Sequence, residues 1–309
     1  MFKKLAHFIF FGNYFYGCCS VALAIEANLQ QNLPLNSLCF YLLLFCCTVL
    51  FYTYAYIQEK NAAFVPRKNE MYINKRSKWY YNNRMLIKNT QCILIFICLA
   101  FGLYFLIRYY NRLLLITSLQ AAALAAIGFV ALSYYGITIG SVKINARKTG
   151  WLKPFVIGFV WATEVTFIPI LWYQVEQGLS YNFSSINLWF FIKNFMYISL
   201  LAILFDIKDY VADHNRRLKT FVVSVGLRKT IFLIIIPLTI LGFIALIAFA
   251  LLLHFPALRI AINSIPFVLL IIVAWSMQRP KFILYYLVVI DGLMLIKALC
   301  GISAYLLVK

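Results

Sequence analysis

The chain is 309 residues long, 64% hydrophobic and 12% charged, with a formal net charge of +19. A soluble domain carries about 25% charged residues, so a water-soluble enzyme or carrier is excluded and a helical membrane protein is the expectation. The basic excess flanks apolar runs and forms no module of its own, which excludes a nucleic-acid-binding domain and favours contact with anionic lipid headgroups.

A bilayer core of roughly 30 Å takes about 20 apolar residues per helix. Runs of that kind lie near 5–27, 36–57, 90–107, 113–135, 152–173, 188–206, 230–252, 260–277 and 282–306. The expected fold is therefore all-α, with about nine transmembrane helices in a single integral membrane domain over 1–309. The first run opens "MFKKLAHFIFFGNYF" and imitates a secretory signal, with Ala22-Leu23-Ala24 in the place of a cleavage site. Its apolar character continues and more spans follow, so it reads as a retained first helix. After the second run comes the one long polar segment, 57–89, rich in Tyr and Asn and expected as a cytoplasmic loop or cap. "RYYNR" alone separates the third and fourth runs, which predicts a tight hairpin. Eight cysteines, at 18, 19, 39, 46, 47, 92, 98 and 300, fall in predicted spans without CxxC or zinc spacing, and read as small packing residues.

Basic residues collect in the loops on the cytoplasmic side of bacterial membrane proteins. The N-terminal tail and the segments after runs two, four, six and eight together hold 22 Lys and Arg, among them Lys60, Arg67, Lys75, Arg76, Lys143, Lys153, Lys208, Lys219 and Lys281. The opposite side holds only Arg108, Arg112, Arg259 and Lys309. This asymmetry predicts a bacterial inner-membrane protein with its N-terminus in the cytoplasm and its C-terminus outside.

The sixth run ends in "FDIKDYVADHNRRLKT", residues 205–220, where three of the chain's nine acids, Asp206, Asp209 and Asp213, fall within eight positions. Spacings of i, i+3 and i+7 put them on one helix face. Carboxylates at a helix C-terminus meet the negative end of the macrodipole and repel one another, so a cation among them is expected. Mg²⁺ takes oxygen ligands and is often held by carboxylates plus phosphate. A solvated helix end softened by Lys208, Arg216 and Arg217 is the plain alternative.

"DIKDYVADHNRRLKTFVVSVG" resembles the second aspartate-rich motif of the UbiA superfamily of intramembrane prenyltransferases, in which three spaced aspartates precede a basic stretch, Lys-Thr and an apolar V-x-x-G. Asp206, Asp209, Asp213, Lys219, Thr220, Val223 and Gly226 fit it, while Arg217 stands where the family usually has glycine. "WLKPFVIGFVWA", residues 151–162, resembles the family's fifth helix more loosely. The resemblance implies a helical bundle around a central cavity, a polyprenyl diphosphate or other lipid as substrate, and Mg²⁺ as cofactor. It also implies transfer of the prenyl group to a small aromatic or lipid acceptor. On this reading Asp206, Asp209 and Asp213 are the catalytic and metal-binding residues. The family's first motif, expected near "TVLFYTYAYIQEKNAAF", is degenerate: Tyr52, Tyr54 and Tyr56 occupy the region, and no Asp precedes position 206. Tyrosine is a poor Mg²⁺ ligand. Cations of the 57–89 segment, Arg67 among them, are then expected to carry diphosphate charge together with Lys143, Lys208 and Lys219. The alternative is a catalytically altered protein of the same fold that acts as a lipid-binding or assembly subunit.

Polar residues within the spans mark cavities, pathways or buried pairs. Glu164, Asn13, Tyr56 and Tyr134 are the candidates for lining a substrate cavity, and Glu164 is equally readable as half of a structural pair. Asp291 and Lys297 lie six positions apart and need different partners, Lys193 is expected to snorkel outward, and His214 reads as a bystander. A transporter is a weaker reading that would need a wet path past Glu164 and Asp291.

Overall fold

The computed structural model of the protein describes residues 2–58, 75–134, 136–139, 142–144, 149–179, 184–215, 218–279 and 281–307. The described chain is helical throughout, apart from one two-stranded antiparallel ribbon. Its elements are α1 (Phe2–Phe11), α2 (Tyr14–Gln30), α3 (Leu38–Gln58), α4 (Lys75–Asn82), α5 (Arg84–Leu113) and α6 (Ser118–Ser133), then β1 (Ile137–Ile139) and β2 (Val142–Ile144). There follow α7 (Lys153–Gln177), α8 (Ser185–Asp206), α9 (Tyr210–Asn215), α10 (Phe221–Val225), α11 (Leu227–Leu252), α12 (Ala257–Ser276) and α13 (Ile283–Leu307).

Each of the nine apolar runs contains helix among the described residues, but the count of helices long enough to cross a membrane is lower. Among the described residues six qualify, α5, α7, α8, α11, α12 and α13 with the turn that extends α8 to Asp209, and a seventh does if the bent pair α1–α2 is one span. The apolar part of α3, Leu38–Tyr54, and α6 are shorter. The chain does not turn at "RYYNR" as expected. Arg108–Arg112 stays in α5, bent at Tyr109, and the break falls after Leu113, before Thr117 and Gln120 form a reciprocal cap on α6.

The chain divides into two compact units, Met1–Val21 with Asn36–Leu114, and Ala22–Leu35 with Leu115–Lys309. In the first, Gly17 lets α2 approach the Phe45 ring of α3, since a Cβ there would stand 2.6 Å from that ring. Cys46, Val49 and Leu94 form its apolar centre. In the second, α7 and α8 make the most extensive helix pair. Gly158 makes that approach possible, because a Cβ would lie 2.1 Å from Ser199 Oγ and 2.9 Å from the Phe195 carbonyl. Ser184 and Asn187 cap α8 reciprocally, which fixes where it begins.

Three long helices of the second unit each contain a π-helical turn, at Thr163–Phe167, Thr230–Ile235 and Tyr286–Ile290. Pro169 and Pro237 follow the first two by two residues. A proline has no N–H to donate and crowds the carbonyl one turn back, and widening that turn relieves the crowding.

The cysteines divide by position: Cys19 and Cys46 are buried as packing residues, whereas Cys18, Cys47 and Cys92 are exposed and all eight are free thiols. Arg76, counted among the loop charges, is 2% exposed. It bonds the Phe11 carbonyl and Asn13, so it serves the first unit's interior.

Candidate functional site

The aspartate-rich stretch begins where α8 ends. Ile207–Asp209 tighten into a single 3₁₀ turn, and α9 follows directly. Asp206 closes α8 with its side chain only 3% exposed, and the ammonium of Lys153, the first residue of α7, bonds its carboxylate. Lys208 pairs with Asp209 at 3.3 Å and lies 4.6 Å above the Phe205 ring. Tyr134, at the end of α6, and Asp209 are near enough to Lys153 to act on its charge. Tyr286 stands edge-on to Phe205 at 6.0 Å. The patch thus sets two carboxylates against two ammoniums over an aromatic floor.

Beyond it the motif's remaining residues build a turn. The Leu218 N–H donates to the Asp213 carbonyl at 2.9 Å. Thr220 caps α10 by accepting from the Val223 N–H at 3.3 Å. Gly226 ends α10 at φ 91° and ψ 150°, a region open almost only to glycine. Gly150 lies flat beneath Lys219 and Thr220, where a Cβ would meet the Lys219 backbone at 2.5 Å. Thr220, Val223 and Gly226 therefore have a local structural use, while the Lys219 side chain is exposed.

This arrangement does not fit a divalent cation held by three carboxylates. Asp206 already has a protein cation on it, and Asp209 has another. Among the described residues no group of three His, Cys, Asp or Glu side chains converges as a metal would require. Asp213 is buried and makes its own contacts.

The other candidates are spread over both units. In the first, Asn13 sits at the 59° bend between α1 and α2 with φ 65° and is fully buried. Its amide donates to Thr53 Oγ1 at 3.1 Å and to the Tyr80 hydroxyl at 3.0 Å, and its carbonyl accepts from Arg76. Tyr56 stacks on Tyr80 at 4.6 Å, with the Arg76 guanidinium 4.4 Å above its ring. Both residues are tied into a structural knot, and burial pushes the Tyr80 phenol well above the usual tyrosine range. In the second unit, Glu164 lies in the π turn of α7 and has its own interactions. Lys143 pairs with Thr138 across the β-ribbon. Arg67, the side chain of Lys143 and residues 59–74 of the expected cap lie outside the described residues.

One cluster escaped the sequence reading. Glu26 of α2 is 1% exposed, and it accepts from Lys297 of α13 at 2.6 Å and from Lys193 of α8 at 3.4 Å. Lys193 therefore turns inward, contrary to the expected snorkelling, towards a buried carboxylate that would be costly without counter-charge. Lys297 thus has Glu26 as its partner, and Asp291 is buried with contacts of its own. Gly301 makes room for Glu26, since a Cβ would stand 2.6 Å from Oε1. Arg259 of α12 donates to Gln30 at 2.7 Å, and Gln30 donates to the Gly301 carbonyl at 2.6 Å. The available signal was a lone acid inside an apolar run, "ALAIEANLQQN". Comparison with protein-family models, curated proteins and solved structures finds no match.

Proposed function

We propose that the chain is a UbiA-like membrane protein that keeps the superfamily's helical plan and binds a lipid, with the aspartate-rich stretch turned to structural use. The observation that carries this reading is the Lys153–Asp206 pair. A lysine occupies the carboxylate that metal-dependent transfer would need free. The degenerate first motif supports it from the sequence side, since Tyr52, Tyr54 and Tyr56 offer no carboxylate to a second metal. The basic residues flanking alternate runs support a bacterial inner-membrane location with the aspartate-rich end in the cytoplasm.

Mg²⁺-dependent prenyl transfer from a polyprenyl diphosphate is the second reading. It is favoured by Asp206 and Asp209 sharing one patch with Lys153, Lys208 and Tyr134. The two readings part on one measurement: diphosphate release from a labelled polyprenyl diphosphate, with and without Mg²⁺ and with aromatic and lipid acceptors. The lipid-binding reading expects no Mg²⁺-dependent release. Release by the wild type that disappears in Asp209→Asn and Asp213→Asn would establish the transferase in its place.

A further inference from the structure

The Glu26 cluster is unbalanced. One carboxylate faces the ammoniums of Lys193 and Lys297, and the Arg259 guanidinium lies close enough to act on Lys193. Lys297 makes the short contact with Glu26, while Lys193 makes the long one and rests 4.0 Å from the Phe190 ring centre. An ammonium has three donors, and Lys193 is only weakly engaged by these two contacts. The Arg259 Nε is also buried without a hydrogen-bond partner. Uncompensated positive charge in an apolar setting is costly and calls for an anion.

Lys193 also lines a shallow apolar groove of about 50 Å³ between α8, α11 and α12, walled by Trp189, Met196, Leu238, Gly242 and Phe267. Two of its lining residues are exposed, Ile192 at 39% and Leu238 at 37%, on helices apolar enough to cross a membrane. Gly242 keeps it open, because a Cβ there would already stand 3.2 Å from the Phe267 ring. An ammonium beside an apolar trough matches a ligand with an anionic group and a long chain.

We propose that an anionic phospholipid docks on this groove, with its phosphate on the Lys193 ammonium and one acyl chain laid along the apolar side chains of α8, α11 and α12. The proposal rests on the lipid-binding reading above and gives it a lipid class and a place. That place is 13 residues along α8 from Asp206, or about 20 Å at 1.5 Å per residue, so the two polar sites are separate.

The test is native mass spectrometry of the full-length protein in mild detergent, titrated with phosphatidylglycerol, with phosphatidylcholine of the same chains, and with inorganic phosphate. One phosphatidylglycerol is expected to bind in preference to phosphatidylcholine, and inorganic phosphate is expected not to displace it. Lys193→Met should weaken phosphatidylglycerol about fivefold or more, the worth of one lysine near an anionic headgroup, while Lys193→Arg should retain it. Gly242→Leu should weaken both lipids by filling the groove. Equal binding of the two lipids, displacement by inorganic phosphate, or unchanged binding by a folded Lys193→Met protein would each overturn the proposal. A Lys193→Met protein that fails to fold leaves the decision to Lys193→Arg and Gly242→Leu, where loss in the first or full binding in the second overturns it. Mg²⁺-dependent diphosphate release alongside selective phosphatidylglycerol binding would defeat the reading of the motif and leave the groove standing. No release together with unselective binding would defeat the groove alone.

Discussion

Lys153 and Asp206 come from the start of one helix and the end of the next, and their pairing ties the beginning of the aspartate-rich stretch to α7. Removing one partner leaves the other charge buried and costs about 3–5 kcal/mol, whereas removing both costs less than the sum. Lys153→Met and Asp206→Asn should therefore each lower the thermal unfolding midpoint in detergent, and the double variant should sit above the additive value. Strict additivity would mean that the two groups do not interact. The acids themselves were plain in the sequence, but their partner was not. Lys153 lies 53 positions from Asp206 and was counted with the topology-setting charges. Glu26 was harder still, since nothing near it in sequence marks Lys193 or Lys297 as its counter-ions.

Helix existence followed from apolar length, because a chain with few charges has no other way to satisfy its backbone in a bilayer. Helix approach did not, because it depends on which glycine meets which neighbour. Two glycines of the second unit illustrate the difference and make a paired prediction. Gly226→Ala should cost about 1–3 kcal/mol through backbone strain alone, since φ there is 91° and nothing lies within 4 Å of the added methyl. Gly158→Ala should cost a similar 1–3 kcal/mol, but through collision with Ser199 Oγ at 2.1 Å and the Phe195 carbonyl. Adding Ser199→Ala should recover part of the second loss and none of the first in thermal unfolding. Equal recovery at both positions would refute the assignment of strain to one and crowding to the other.

The first compact unit is held by contacts of its own, and its stability should be readable by hydrogen exchange. In the first unit Arg76 ties Phe11, Asn13 and Tyr56 together. Arg76→Met should speed amide exchange in α1, α3 and α4, with little change in α7 and α8. Tyr80 adds a pH dependence to the same knot. Its phenol titrates near 10 when unfolded and higher when folded, so the unfolded state holds fewer protons as pH rises above about 10. The stability of the first unit should thus be intact below that pH and decline above it, with a shallower decline in Tyr80→Phe.

Composition alone determined that this is a helical chain fit for a membrane, and the runs of apolar residues located its helices, because hydropathy and length are properties of contiguous sequence. The aspartate-rich stretch was legible for the same reason: its residues are neighbours along one helix. What the folded chain settled is pairing across helices, namely Lys153 with Asp206, Lys193 and Lys297 with Glu26, and Arg76 with Asn13. A buried charge takes whichever counter-charge the packing brings near, and packing rests on close approaches such as Gly158 to Ser199 and Gly301 to Glu26, which no local pattern encodes.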